Sequence, residues 1–299
     1  MEKKITVFTP SYNRAGLLHR CYKSLLRQTR QEFKWLIIDD GSTDNTKEIV
    51  EKWIKENKIE IQYIYKENGG LHTGYNVAIE HMDTELSVCI DSDDWMPDNA
   101  IETILTVWEE NKSDDVAGII GLDYTADGQL IGDVLPDRKK INPIELLASK
   151  NNSGDKKYVV KTALYKKVAP MPVFAGEKNF NPHYMILKLS AKYKFLTVNK
   201  SFCIVDYQDD GMSANIFKQY LNSPKSFAEL RKVIMALPDV PFKYLCKTTI
   251  HYVSSNIIAG TKGYIKNSPK KMLTVILWPA GWLLSKYIRK NGNKVISVK

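Results

Sequence analysis

The sequence predicts an α/β protein, in which a mostly parallel β-sheet flanked by helices is followed by a helical C-terminal extension. Three observations predict it. Over the first 110 residues, short apolar runs rich in β-branched residues alternate with segments of helical spacing, the pattern of βαβ units. Four of these runs each lead into a cluster of polar residues. From about residue 215 onward the apolar spacing is helical to the end.

The elements follow in order. Residues 4–9 (KITVFT), 34–39 (KWLIID), 59–65 (IEIQYIY) and 86–90 (LSVCI) read as strands. Leu17, Leu18, Cys21 and Leu25 follow Asn13 at helical spacing, and Ile49, Val50, Trp53 and Ile54 follow Ser42 and Asp44. Residues 116–135 read as a hairpin turning at Asp127-Gly128, and residues 158–168 as a strand leading into a short helix. A loop over 170–182, a helix over 183–192 and a strand near 202–207 complete a catalytic unit of residues 1–215. Residues 216–299 form the helical extension, whose tail is basic and apolar.

Composition narrows the partners. The chain has 299 residues, 43% hydrophobic and 26% charged, long enough to bury a core without disulfides or a structural metal. Its four cysteines form no CxxC pair, which argues against a zinc ribbon or a redox dithiol. The first apolar run is too short for a signal-peptide core, so the expected compartment is the cytoplasm. The net charge is +9, yet residues 262–299 hold eight lysines, Arg289 and no acidic residue, and so carry all of it. A nucleic-acid enzyme spreads basic residues around its groove, and none is expected as a partner here. A basic tail beside the uncharged run MLTVILWPAGWLLS points to an anionic membrane surface. At fourteen residues that run is too short to span a bilayer, and Pro279 and Gly281 interrupt it.

In parallel sheets, ligands sit beyond the carboxyl ends of the strands, so the polar clusters there matter most. Asp91-Ser92-Asp93-Asp94 crowds three carboxylates into four residues, a costly arrangement unless a cation offsets it. On an extended strand end Asp91 and Asp93 point the same way, and hard cations such as Mg²⁺ or Mn²⁺ favour such oxygen ligands. Thr9, Ser11, Tyr12 and Asn13 offer hydroxyl and amide groups suited to a base and ribose, and Asp39-Asp40 offers acceptors for a uracil N3–H. Neither GxGxxG nor a P-loop is present, which argues against a dinucleotide cofactor or a P-loop NTPase.

Four motifs in this order, TPSYNR (9–14), QTRQEFKWLIIDDGSTD (28–44), ENGGLHTGYNVAI (67–79) and DSDDWMPDNAI (91–101), resemble those of the family 2 glycosyltransferases of GT-A fold, of the bacterial surface-polysaccharide type. The resemblance is close over residues 4–110 and looser to about 215. It implies an inverting transfer of a hexosyl or N-acetylhexosaminyl group from a UDP-sugar to a glycan or lipid-linked acceptor, with Mn²⁺ or Mg²⁺ as cofactor. Thr9, Pro10, Ser11, Tyr12, Asn13 and Arg14 would then line the nucleotide pocket, with Asp40 reading uracil. The Gly69-Gly70 turn would let the backbone approach the nucleotide. Asp91 and Ser92 would lie by the ribose or a metal-bound water, and Asp93 would be the direct metal ligand. Glu177 stands where the family usually carries an acidic pair, but its neighbour is Lys178. It is the first candidate for the base, with His183 second. The family's metal-ligating histidine is missing from VDYQDDGMSAN, so either Asp209 or Asp210 substitutes, or the metal is held by Asp93, phosphates and water. Two other classes stay open: a sugar nucleotidyltransferase, and a non-catalytic sugar- or nucleotide-binding protein on a degenerate transferase fold.

Overall fold

The structure is a computed structural model that describes residues 2–149, 154–206 and 215–292. Its strands are β1 (Ile5–Ser11), β2 (Phe33–Asp39), β3 (Ile61–Tyr65), β4 (Leu86–Cys89), β5 (Val116–Thr125), β6 (Lys140–Ile141), β7 (Lys156–Lys161) and β8 (Lys194–Val205). Helices α1 (Ala15–Leu26), α2 (Thr46–Glu56), α3 (Leu71–His81) and α4 (Ala100–Asn111) alternate with the first strands. Helices α5 (Pro143–Ala148), α6 (Thr162–Val168) and α7 (His183–Ser190) follow. The remainder is helical: α8 (Ile216–Asn222), α9 (Pro224–Ala236), α10 (Phe242–Ala259), α11 (Lys271–Ile276) and α12 (Trp278–Lys290).

The eight strands form one sheet in the order β3-β2-β1-β4-β7-β5-β8-β6. β1, β2, β3 and β4 pair in parallel, as do β5 and β8, while β7 and β6 run antiparallel to their neighbours. The fold is therefore mixed α/β, with the parallel block where the sequence places its βαβ units. The hairpin expected over 116–135 does not form. Asp127-Gly128 does turn, closed by the Thr125 N–H on the Gln129 carbonyl, but the returning chain makes only an isolated bridge at Leu130. β5 instead lies between β7 and β8, which take up its backbone hydrogen bonds along both edges.

The chain divides into two compact units. One comprises Met1–Gly69, Thr73–Pro170 and Lys192–Asp206; the other comprises Gly70–His72, Met171–Ala191 and Tyr207–Lys299. In the first, alternation on β2 turns Phe33, Trp35 and Ile37 to the same side as Ile5 and Val7 of β1. Helix α1 covers them with Leu18, Cys21, Tyr22 and Leu25, a stripe at 3–4-residue spacing. Tyr22 stacks on Trp53 of α2 with ring centroids 4.3 Å apart. On the other face Phe8 meets Tyr75 of α3 edge-on at 4.9 Å. The register sets Ser11 beside Asp39 and Asp39 beside Tyr65, so the polar strand ends lie level.

In the second unit α10 packs against both α9 and α12, and Ala228 and Met235 of α9 form a small core with Tyr252 of α10. The Tyr252 hydroxyl donates to the Tyr264 carbonyl at 2.9 Å, and the Trp278 indole N–H donates to the Tyr264 hydroxyl at 2.8 Å. Pro279 does not interrupt α12, since it sits in the first turn, where no backbone N–H is needed.

Candidate active site

The acidic tetrapeptide follows directly on β4. It is a tight turn and not an extended strand end: the Asp94 N–H donates to the Asp91 carbonyl at 3.1 Å. Burial, together with repulsion from Asp91, raises the carboxyl of Asp93 above its ordinary value. Asp94 faces elsewhere. It is buried, accepts the Asp206 N–H at 3.3 Å and lies 3.9 Å from the ammonium of Lys157. Burial raises it too, with Asp91 and Asp93 adding to the shift against the pull of Lys157.

Lys157 of β7 is the internal counter-charge of this end of the sheet. Burial alone would lower its ammonium, but Asp123, Asp91 and Asp94 among the groups around it more than offset that and raise it well above the usual lysine range. Asp123 of β5 is buried, which lifts its carboxyl to about 6, and its Oδ1 has no hydrogen-bond partner among the described residues. Asp206, at the end of β8, pairs with Arg20, whose guanidinium also lies 5.7 Å from the centre of the Trp95 ring. Trp95 exchanges two backbone hydrogen bonds with Ile204, at 3.1 and 2.7 Å, tying the acidic turn to β8. It is half-buried and acts as a clamp.

Lys157, Asp123, Asp206 and Arg20 were not legible as site residues. Only Asp123 carried a local signal, an acid at the end of the apolar run VAGIIGL. Lys157 and Asp206 arrive with strands paired over long sequence distances, and Arg20 reaches Asp206 from α1.

Several predicted pocket residues have partners within the chain. Thr9 is buried, and its Oγ1 accepts the Trp35 indole N–H at 2.9 Å. Pro10 is buried beside Gly74 of α3. Ser11 is buried, and its hydroxyl has no partner among the described residues. Tyr12 is 49% exposed at the strand end. Asn13 adopts a left-handed backbone (φ 52°), and its side-chain oxygen accepts the Thr43 N–H at 2.8 Å. Arg14 is half-buried and opens α1.

Asp40 also anchors the loop after β3. It is buried, pairs with Lys66, accepts the Gly69 N–H at 2.9 Å and meets the Asn68 amide at 3.3 Å. The Gly-Gly turn serves the chain itself. Gly70 has φ +94°, and a Cβ there would stand 2.0 Å from the Lys178 carbonyl oxygen, so the backbone it lets in is the protein's own. Gly69 packs against Thr73 and Lys66, and Ser92 is buried within the acidic turn.

The base candidates lie in the second unit. Glu177 is 7% exposed and accepts three hydrogen bonds at the start of α9. Its donors are the Lys225 N–H (2.9 Å), the Ser226 N–H (2.8 Å) and the Ser226 hydroxyl (2.7 Å). This is a helix-capping carboxylate, which the sequence did not reveal because its partners lie 48 residues away. His183 opens α7, and burial pulls its imidazole down to about 4. His72 is buried on α3, 6.1 Å from the ring of Phe180. Asp209 and Asp210 lie outside the described residues.

The donor set fits a hard cation in a limited way. Asp91 and Asp93 offer carboxylate oxygens close together in the chain, the ligand type that hard cations favour. Among the described residues no group of three or more His, Cys, Asp or Glu side chains forms a closed metal cage. A cation held by these two carboxylates would need further oxygen ligands from elsewhere.

A mostly parallel sheet with level polar strand ends, and with an acidic turn after its fourth strand, defines the nucleotide-sugar transferases of GT-A fold. Residues 6–154 match the family described as Glycosyl transferase family 2, and the chain belongs to that family. It is 33% identical over 118 residues to Glycosyltransferase GlyA of Streptococcus pneumoniae, covering 40% of this chain and 17% of that protein. The chain thus spans well under half the length of the curated relatives it matches first. Among solved structures, Staphylococcus aureus TarS 1-349 in complex with UDP-GlcNAc superposes with a TM-score of 0.63 at 18% identity, covering 97% of this chain and 88% of that one. The mannosyltransferase PcManGT of Pyrobaculum calidifontis, in complex with GDP-Man and Mn²⁺, gives 0.58 at 16% identity, covering 98% and 84%. These structural likenesses establish the fold.

Proposed function

We propose that the chain is an inverting, metal-dependent glycosyltransferase. In this reading it moves a hexosyl or N-acetylhexosaminyl group from a UDP-sugar to a hydroxyl of a glycan or lipid-linked acceptor. The work belongs to surface-polysaccharide synthesis, at the cytoplasmic face of the membrane, within a catalytic unit of residues 1–215 and a helical extension of 216–299. The observation that carries it is the acidic turn after β4, where burial and Asp91 raise the carboxyl of Asp93. The TarS complex with UDP-GlcNAc supports the nucleotide class and makes UDP-GlcNAc the first donor to try. The PcManGT complex with Mn²⁺ supports the cation.

Asp93 would hold Mg²⁺ or Mn²⁺ with help from Asp91, and such an ion would supply neutralisation of the charge on the departing diphosphate. Lys157 and Asp94 fix the turn from beneath, so the carboxylates are held in place before donor arrives. Tyr12, Asn13, Arg14 and Ser11 at the end of β1 meet the nucleoside, while Asp40, Gly69 and Gly70 keep the β3–α3 loop in shape around it. The acceptor oxygen attacks the anomeric carbon opposite the diphosphate, the glycosidic bond to phosphate breaks, and the hydroxyl proton passes to a base. Glu177 is the assigned base, acting through Oε1, which takes a single donor. His183 is second, a weak base at neutral pH because burial lowers it.

A second reading has one observation in its favour. Glu177 is engaged as a cap and Lys178 replaces the second acid, which suits a protein that binds donor without transferring it. Release of UDP from UDP-GlcNAc with Mn²⁺, beside binding by calorimetry, separates the two. Transfer predicts turnover that EDTA stops, and Asp93→Ala lowers it about 10³-fold or more in a protein that still melts cooperatively. Binding with no turnover across UDP-sugars and acceptors selects the second reading.

A further inference from the structure

Helices α11 and α12 are packed inside out. The residues α12 buries are Gly281, Ser285 and Ile288, a stripe at 4- and 3-residue spacing dominated by small side chains. The close fit of that stripe requires glycine: a Cβ at Gly281 would lie 2.4 Å from Val253 Cβ of α10. The large apolar side chains face the other way. Met272 is 80% exposed, Ile276 67%, Leu283 60% and Trp282 40%. Ile276, Pro279, Leu283, Lys286 and Lys290 recur every three or four residues, so one continuous stripe runs from apolar to basic along the helix pair. Lys270 and Lys271 bracket its other end, and no acidic residue occurs from 262 onward.

We propose that this stripe lies in the plane of an anionic lipid surface. Ile276, Leu283 and Trp282 enter the acyl boundary, and Lys271, Lys286 and Lys290 meet the headgroups. The inference rests on the membrane part of the reading above and adds the face and its depth of engagement. The side chains themselves choose the occupant. A second copy of the chain would bring a like-charged stripe against this one, which repels. A nucleic acid offers phosphates but no apolar phase for Met272, Ile276 and Leu283. An anionic bilayer interface offers both, in the layering this stripe presents. Trp282 at the boundary, with Lys286 5.5 Å from its ring centre, is the aromatic-and-basic pairing that favours that depth. No described helix is long and apolar enough to cross a membrane, so the helices lie on the surface.

The test uses the full chain with sucrose-loaded vesicles of phosphatidylglycerol and phosphatidylcholine, against pure phosphatidylcholine. The wild type is expected to sediment with the anionic vesicles and release as salt rises. Ile276→Glu with Leu283→Glu should weaken association at least about tenfold, and Lys286→Gln with Lys290→Gln about 25-fold, since each basic residue near the surface contributes about fivefold. Melting temperature and UDP-GlcNAc binding should not move in either variant, because all four side chains are exposed. Brominated lipid should quench fluorescence in the wild type and less in Trp282→Phe. Wild-type binding that both double variants retain overturns this face and leaves the membrane reading standing. Failure of the wild type to bind either vesicle overturns both and leaves the transferase reading untouched. A dimer that the glutamates dissociate, with no vesicle binding, assigns the stripe to a second copy.

Discussion

Helices α1 and α12 have nearly the same length, 12 and 13 residues, and solve opposite problems. α1 buries Leu18, Cys21, Tyr22 and Leu25 against the sheet and leaves Gly16, His19 and Lys23 outside. α12 buries Gly281 and Ser285 and leaves Leu283, Trp282 and Tyr287 outside. The first is held by apolar area removed from water, the second by close backbone approach to α10. Apolar content therefore does not identify a core helix. What identifies one is which residues face the neighbour.

Substitutions break this comparison in a definite order. Leu25→Ala should cost about 3 kcal/mol of folding stability, because it removes a fully buried side chain and leaves a cavity beside Trp35. Leu283→Ala, the same chemical change, should stay within about 0.5 kcal/mol, since the side chain is already in solvent. Urea titration of both variants checks the pair, and equal losses would show that α12 hides Leu283 after all. Gly281→Ala should come next, at about 1–3 kcal/mol, by forcing a methyl into Val253 and the Ile250 carbonyl. In this helix adding one carbon then costs more than deleting three from Leu283.

A smaller effect sharpens the site. Glu177→Gln should cost about 1–2 kcal/mol, because the amide keeps one acceptor but loses the charge that three donors at the start of α9 address. If Glu177 is the base, transfer per folded molecule also falls about 10²-fold with donor binding unchanged. A stability loss with an unaltered rate makes it a cap alone, and His183→Ala then tests the second candidate.

The parallel half of the sheet was legible because each of its strands and helices carries its own period, from Ile5 through Asn111. The hairpin was misread because an Asp-Gly turn reports only local geometry, while the strands that pair with β5 come from distant parts of the chain. The acidic turn was legible as residues but not as a site. Nothing near Asp94 in the chain announces Lys157, 63 positions on, or the Asp206 N–H, 112 positions on. The same limit explains Thr9 and Asp40: their side-chain chemistry suits a nucleotide, and only the fold reveals that Trp35 and Lys66 reach them first.

The last difference between the regions is their response to acid. In the second unit burial pulls His183 down to about 4, and burial with Arg231 and Lys247 does the same for His251. Both are lower folded than unfolded, where imidazole titrates near 6.5. Their neutral forms suit the fold, so the stability they support is complete above about pH 6.5 and is lost as pH falls toward 4. At pH 5.5 the cost is about 1 kcal/mol for each. In the first unit Asp123 has the opposite sign: burial raises it to about 6, so protonation is easier folded than unfolded and acidification relieves a buried charge. Amide exchange followed by mass spectrometry between pH 7.5 and 5, corrected for intrinsic rates, should therefore show α7 and α10 losing protection while β5 and β7 hold theirs. His251→Phe should restore part of the loss in α10, because the aromatic ring fills the site without a proton to gain. Uniform loss across both units would mean that the two open together and that no local titration sets the order.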